Sequence, residues 1–169
     1  MLPFYKPTKS VKGSLANFSF NSKGDKKGIF IEMVKQTGWD NQSSTGSFKN
    51  GDKVNIKLSL IEAAALIRAI EQNTAAAEKG FYHSSAKGSA TINFSPYVRD
   101  GKQIGFSLAI SKQEGTSERK NFLIGFDFNE CQLLKEFLRY SLDHVFSGMY
   151  SDQVKAAKQR ETGPSETSN

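Results

Sequence analysis

The sequence predicts an α+β fold: two tandem β-β-β-β-α repeats forming one pseudo-symmetric domain, with antiparallel sheets packed on helices. Three observations predict it. Short blocks recur in the same order in both halves of the 169-residue chain. Period-two alternation precedes a helical run in each half. Each helical run opens on a capping-box pattern. Repeated units of this kind stack to bury a common core.

The first block is Phe4-Tyr5 followed by Lys12-Gly13-Ser14, which recurs as Phe81-Tyr82 followed by Lys87-Gly88-Ser89. Asn17-Phe18-Ser19 recurs as Asn93-Phe94-Ser95. Gly28-Ile29-Phe30-Ile31 with Lys35-Gln36-Thr37-Gly38 recurs as Gly105-Phe106-Ser107-Leu108 with Lys112-Gln113-Glu114-Gly115. Ser59-Leu60-Ile61-Glu62 recurs as Asp127-Phe128-Asn129-Glu130.

Within these blocks the elements follow. Phe4-Tyr5 and Phe81-Tyr82 read as short first strands. Ala16, Phe18 and Phe20 alternate with Leu15, Asn17 and Ser19, and Ala90, Ile92 and Phe94 with Thr91, Asn93 and Ser95. A period of two with one apolar face marks a half-buried strand. Ile29, Ile31 and Met33, matched by Ile104, Phe106, Leu108 and Ile110, give the third strands. Val54, Ile56 and Leu58, matched by Phe122, Ile124 and Phe126, give the fourth. Asn21–Lys27 and Pro96–Gly101 read as hairpin turns.

Then the period changes. Ser59 and Asp127 are N-caps with Glu62 and Glu130 three residues on, so that cap and glutamate each satisfy a free backbone N–H of the other. Leu60, Ala63, Leu66, Ile67 and Ile70 form one helical stripe. Leu133, Leu134, Phe137, Leu138, Ser141, Leu142, Val145 and Phe146 form a longer one. The domain is expected over 1–146, with repeats at 1–73 and 80–146. The polar tail 147–169 is expected to be partly disordered, with 153–160 able to extend a polar helix. Thr37–Asp52 reads as a long polar loop, and such loops are commonly functional or mobile.

The formal net charge of +6 favours an anionic partner, most often nucleic acid. The single cysteine, Cys131, excludes an intrachain disulfide and a multi-thiolate metal site, and it falls on a helical apolar face as core. There is no signal-peptide stretch, and no apolar run nears the ~18 residues of a membrane span. The protein is expected to be soluble, in the cytoplasm or with the nucleoid.

No catalytic constellation, cofactor motif or metal-ligand spacing is present, so no enzyme activity, cofactor or metal is expected. The two histidines, His83 and His144, fall in different element types. The sheet face turned away from the helices is the candidate surface, with Asn17, Ser19, Lys57, Asn93, Ser95, Ser107 and Ser111. Small polar groups admit a backbone or base. Lys12, Lys35, Lys87 and Lys112 recur near strand ends, where lysines neutralise phosphates. Tyr5, Tyr82, Tyr97 and Trp39 lie at strand margins or in the polar loop, where unpaired bases stack on aromatic faces. Tyr5 and Tyr82 equally suit plugging the end of a sheet. The candidate nucleic-acid-binding set is Tyr5, Lys12, Ser14, Asn17, Lys35, Trp39, Lys57, Tyr82, Lys87, Ser89, Asn93, Tyr97 and Lys112.

Two β4α units carrying Lys12-Gly13-Ser14-Leu15-Ala16 and Lys87-Gly88-Ser89-Ala90-Thr91 resemble the Whirly family of single-stranded-DNA-binding proteins, which carry a Lys-Gly-Lys-Ala-Ala-Leu motif on the second strand. Leu142-Asp143-His144-Val145-Phe146 is also similar to that family's helix end. The resemblance spans Phe4 to Phe146; Ser14 and Ser89 replace the family's second lysine. The positive-cofactor-type coactivators, the mitochondrial guide-RNA-binding proteins and the Pur-alpha repeats share the architecture. The resemblance implies binding of single-stranded DNA with little sequence dependence, in replication, recombination, repair or transcription. With no organellar transit peptide visible, a bacterial, archaeal or viral relative is expected rather than a plant member (for a virus, in the host cytoplasm). The resemblance also implies homo-oligomers formed through the helices, the apolar second helix serving either as interface or as covered core. RNA binding or annealing by the same fold, or a protein-interaction module with an incidental basic face, are the alternatives.

Overall fold

Eight strands appear where alternation places them, and two more inside the expected loop. The computed structural model describes residues 1–161. Repeat one holds β1 (Leu2–Lys6), β2 (Ser14–Asn21), β3 (Gly28–Lys35), a small hairpin of β4 (Gly38–Asp40) and β5 (Thr45–Ser47), β6 (Lys53–Leu58) and helix α1 (Leu60–Gln72). Repeat two holds β7 (Phe81–Ser85), β8 (Gly88–Arg99), β9 (Lys102–Glu114), β10 (Lys120–Asp127) and helix α2 (Phe128–Glu161). Each repeat makes one four-stranded antiparallel sheet, in the orders β1-β2-β3-β6 and β7-β8-β9-β10.

Three expectations need correction. Thr37–Asp52 is not an open loop: β4 and β5 pair in it, Thr37 N–H donates to Ser47 O within it, and Lys35 N–H of β3 donates to Asp52 O at its far end. The second strand of repeat two does not turn at Pro96. It continues to Arg99 with an irregularity between Tyr97 and Val98, and Asp100-Gly101, with φ of 51° and 72°, makes the turn. The last helix does not stop near Phe146 but runs to Glu161, held to the β2–β3 turn by a Lys27–Asp152 ion pair. The rest of the expected tail, 162–169, lies outside the described residues.

Both capping boxes form. The Ser59 hydroxyl accepts from Glu62 N–H at 3.2 Å, and Glu62 Oε2 accepts from Ser59 N–H at 2.7 Å. Asp127 and Glu130 repeat the exchange at 2.9 and 2.8 Å. Gly28 and Gly105 match in conformation, with φ of 150° and 148°. A Cβ at Gly105 would stand 1.9 Å from the Phe126 carbonyl oxygen, so this start of the third strand requires glycine.

The two repeats share one core. α1 touches β3 and β6 of its own sheet and β8 of the other; α2 touches β9, β10, β2 and β3, and the helices pack on each other. Phe126 sits at the seam, its ring 4.8 Å from Phe4, 6.2 Å from Phe18 and 6.3 Å from Phe94. Phe94 stacks on Phe106 at 5.1 Å. Burying each such ring contributes about 1.5–3 kcal/mol, and here the gain requires both repeats. Cys131 is buried as expected, and burial pushes its thiol pKa up to about 12.

On α2 the long stripe divides. Cys131, Leu134, Leu138, Ser141 and Val145 face inward. Leu133, Tyr140 and Phe146 are exposed, so they do not belong to the core face. The Ser141 hydroxyl is satisfied by the Phe137 carbonyl at 2.7 Å, which lets a polar residue stand in the core. Among the described residues no helix is long and apolar enough to cross a membrane.

Candidate nucleic-acid interface

Strand pairing fixes which side chains share the outer faces. On sheet one, Tyr5, Leu15, Val34 and Lys53 form one row; Pro3, Asn17, Glu32 and Asn55 the next; Ser19, Phe30 and Lys57 the third. On sheet two the rows are Ser84-Ser89-Gln113, Tyr82-Thr91-Ser111-Asn121, Asn93-Ala109-Leu123 and Ser95-Ser107-Gly125, with Tyr97 beyond. The small polar face is where alternation put it: Asn17, Ser19, Lys57, Asn93, Ser95, Ser107 and Ser111 all point away from the core. The faces are unequal. Sheet one carries Glu32, within 3.4 Å of the Asn17 amide, while the rows of sheet two contain no carboxylate.

The matched Lys-Gly-Ser motifs are not structurally equivalent. Ser14 pairs with Lys35 and Ala90 with Lys112, so Ser14 corresponds to Ala90, and Ser89 is displaced by one residue. A one-residue shift moves a side chain to the opposite face. Ser14 is therefore buried and its hydroxyl donates to the Leu123 carbonyl at 2.7 Å, whereas Ser89 stands on the outer face. The displacement follows from the connections: seven residues, 7–13, join β1 to β2, and only Ala86-Lys87 join β7 to β8.

Lys35 and Lys112 share the core-side parity at the sheet end and are ion-paired. Lys35 is 3.8 Å from Asp52 with its ammonium 5.2 Å from the Phe122 ring centre, and Lys112 is 2.6 Å from Glu114. Asp52 also holds Lys120 of repeat two at 2.6 Å. The hydrogen bond from Lys120 lowers the Asp52 carboxyl below its ordinary value and raises Lys120 above its own. Lys112 likewise lowers Glu114. By contrast Lys12, Lys57 and Lys87 stand in no carboxylate pair among the described residues.

Among the aromatics, Tyr82 is 69 % exposed and open. Tyr5 is half-exposed but tied down: its hydroxyl donates to the Gly46 carbonyl at 2.5 Å, and its ring lies 5.0 Å from Phe48. Trp39 is not the free loop aromatic that was expected. It is half-buried in β4 with its indole Nε1 enclosed and unpartnered. Tyr97 is 40 % exposed and lies across sheet two, so close that a Cβ on Gly125 would stand 3.3 Å from its ring.

Two grooves between the repeats collect these residues. In the first, of 360 Å³, the loop of repeat one (Lys12, Gly13, Ser14) faces Tyr97, Ser107, Leu123 and Gly125 of sheet two. In the second, of 390 Å³, the turn of repeat two (Lys87, Gly88, Ser89) faces Asn55 and Lys57 of β6. Since β6 and β10 are equivalent strands, the grooves are related by the internal pseudo-symmetry. So are two contacts that sequence reading missed: the ion pair of Lys6 of β1 with Glu130 of α2, and the hydrogen bond between His83 of β7 and Glu62 of α1 at 2.6 Å. Each repeat's first strand thus engages the capping glutamate of the other. The signal was latent in the matched strands, because the register that pairs Lys6 with Ser14 pairs His83 with Ala90.

The architecture defines a duplicated β4α domain with open outer sheet faces, and the comparisons with known proteins agree. The fold is Whirly-like. WHY3 from Arabidopsis thaliana superposes with a TM-score of 0.57 at 16 % identity, covering 93 % of this chain and 95 % of its own. WHY1 from Arabidopsis thaliana gives 0.57 at 14 % identity, covering 98 % and 95 %. The plant transcriptional regulator PBF-2 gives 0.58 at 14 %, covering 96 % and 92 %. No protein-family model and no curated protein sequence matches the chain. Among the described residues no cluster of His, Cys, Asp and Glu suits a metal ion.

Proposed function

We propose that this chain binds single-stranded DNA, largely independently of sequence, where strands are exposed in replication, recombination, repair or transcription. The observation that carries this reading is the pair of inter-repeat grooves, in which lysines without carboxylate partners stand beside small polar sheet residues and an exposed tyrosine. Lysines neutralise phosphates without reading sequence, and aromatic faces accept any base. The Whirly resemblance supports the same reading. Asn17, Ser89 and Asn93 would contact the strand from the outer faces, and Lys12, Lys57 and Lys87 would track its phosphates. Lys35, Lys112, Ser14 and Trp39 would act through the structure around the strand.

The chain further associates into homo-oligomers through α2. Leu133, Phe137, Tyr140 and His144 follow at helical spacing, and Phe137, Tyr140 and His144 gather around Phe20 at 6.1, 5.6 and 5.5 Å. This patch is on the helix rather than the outer sheet faces, so assembly leaves those faces available. The protein acts as a binder rather than an enzyme.

The test is anisotropy of labelled dT30 at low and moderate salt, with duplex DNA and the RNA of equivalent sequence as competitors. Salt-sensitive binding that neither displaces is expected, and Lys12, Lys57 and Lys87 changed together to Glu should abolish it with the fold intact. Displacement by RNA would move the assignment to an RNA binder. Absence of binding at low salt would make the basic surface incidental and turn attention to a protein partner for α2.

A further inference from the structure

The two grooves are equivalent in position but not in chemistry. The first contains one ring, Tyr97, so near Gly125 that a Cβ there would make a tight 3.3 Å contact with it, and one lysine without a carboxylate partner, Lys12. Its other lysine, Lys6, is held by Glu130. The Tyr97 hydroxyl makes no hydrogen bond among the described residues. At 360 Å³ the groove falls within the roughly 300–1,000 Å³ of small-molecule pockets. Two of its lining residues are joined across the repeats, the Ser14 hydroxyl donating to the Leu123 carbonyl at 2.7 Å.

The second groove has no Phe, Tyr or Trp in its lining; its one ring, the imidazole of His83, has Nε2 engaged by Glu62 at 2.6 Å. Tyr82 lies outside it, beside an adjoining depression. It is lined by two lysines without carboxylate partners, Lys57 of β6, whose ammonium also lies 6.0 Å from the Phe30 ring centre, and Lys87 of the 86–87 turn, together with Ser84, Ser85 and Ser89. Its one carboxylate, Glu114, is taken up by Lys112 at 2.6 Å. Hydroxyls and ammonium groups without a Phe, Tyr or Trp face suit a phosphate rather than a base.

We propose that the duplication has produced two unlike subsites in each chain: a base-seating groove at Tyr97 and a phosphate-holding groove between Lys57 and Lys87. The inference rests on the single-strand reading above and assigns a different part of the nucleotide to each groove. Gly125 in repeat two, where the equivalent strand of repeat one has Lys57, is the residue difference that makes it possible. The glycine leaves room for a ring, and the lysine fills that space with charge.

The experiment uses the full chain with two probes, dT oligonucleotides and the same length of abasic, tetrahydrofuran-linked strand, each titrated across a salt series. Tyr97→Ala should weaken dT binding roughly five- to hundred-fold, leave abasic binding unchanged, and leave the salt slope unchanged. Tyr97→Phe, which keeps the ring, should restore dT binding. Lys57→Ala with Lys87→Ala should weaken both probes equally and reduce the log–log salt slope by about 1.4, as for two phosphates on a single strand. If Tyr97→Ala weakens both probes alike, or the lysine pair affects only dT, the division of labour is wrong although single-strand binding stands. If the wild-type chain binds neither probe at low salt, both the inference and the reading beneath it fall.

Discussion

Repeat one and repeat two are built on one plan and finished differently at the corner where the first strand meets the second. In repeat one, the 7–13 connection is gripped by Gln36. Its side-chain oxygen accepts from Thr8 and Gly13 N–H at 2.8 and 3.0 Å, and its amide nitrogen donates to the Thr8 and Gly38 carbonyls at 3.0 and 2.7 Å. The β4–β5 hairpin then ties down Tyr5. In repeat two, a two-residue turn needs no grip. Gln113, at the matched position, makes only a 3.5 Å contact with Arg119, and Tyr82 is left open. Duplicated units therefore diverge first in their connections. One corner has become rigid and covered, and the other has stayed short and accessible.

The largest loss is expected where the two repeats share a side chain. Phe126→Ala deletes the ring touching Phe4, Phe18 and Phe94, and should cost about 3–5 kcal/mol. Denaturant unfolding followed by two probes, one in each repeat, should show a single transition at the lower midpoint. Separate transitions would mean the repeats are independent domains.

Gln36→Ala and Gln113→Ala sharpen the contrast between the corners. Losing Gln36 strands the N–H of buried Gly13 and frees the loop, and is expected to cost about 2–3 kcal/mol. Gln113→Ala should stay within about 0.5 kcal/mol. Equal losses would show that the grip is not specific to repeat one.

Smaller losses are expected from the two contacts by which each first strand reaches the other repeat's capping glutamate. Glu62 is buried, caps α1 and holds His83, so Glu62→Ala should cost about 1–3 kcal/mol. Glu130 is more exposed and is paired with Lys6, and its removal should cost about 0.5–1 kcal/mol. Thermal melts of the two variants, side by side, decide the order.

The smallest effect concerns Asp52 and Lys120, which join the repeats at the surface. Asp52 titrates below its ordinary 3.8 in the folded chain. Its contribution is present in full above that value and is lost as pH falls through the lowered folded value. Lys120, raised above 10.5, contributes below that value and loses its contribution as pH rises through the raised one. Asp52→Asn should therefore flatten the acid limb of the stability curve slightly and leave the core transition unchanged.

Most of the fold was legible because its signals are local. Strand alternation, the two capping boxes and the buried Cys131 all depend on spacing within a few residues. What was not legible depends on long-range geometry. Reading Lys12-Gly13-Ser14 against Lys87-Gly88-Ser89 matched letters but not faces, since the connection lengths set the register. The pairing of Lys35 with Asp52 and of Lys112 with Glu114 is invisible to a count of lysines. Trp39 looked exposed because its neighbours are polar, yet those neighbours pair as a hairpin and the residue is half-buried with its indole nitrogen out of solvent. The end of α2 was obscured because its last turns are exposed and carry no apolar stripe, so periodicity gives no signal there.

The most direct test of the central claim is hydrogen–deuterium exchange of the full chain with and without a saturating dT oligonucleotide. The account predicts protection along β6, β8 and β10 and at the 7–13 and 86–87 connections, where the two grooves lie, with exchange in α2 changed little at fixed oligomeric state. Protection confined to the exposed face of α2, with the sheets unaffected, would contradict it.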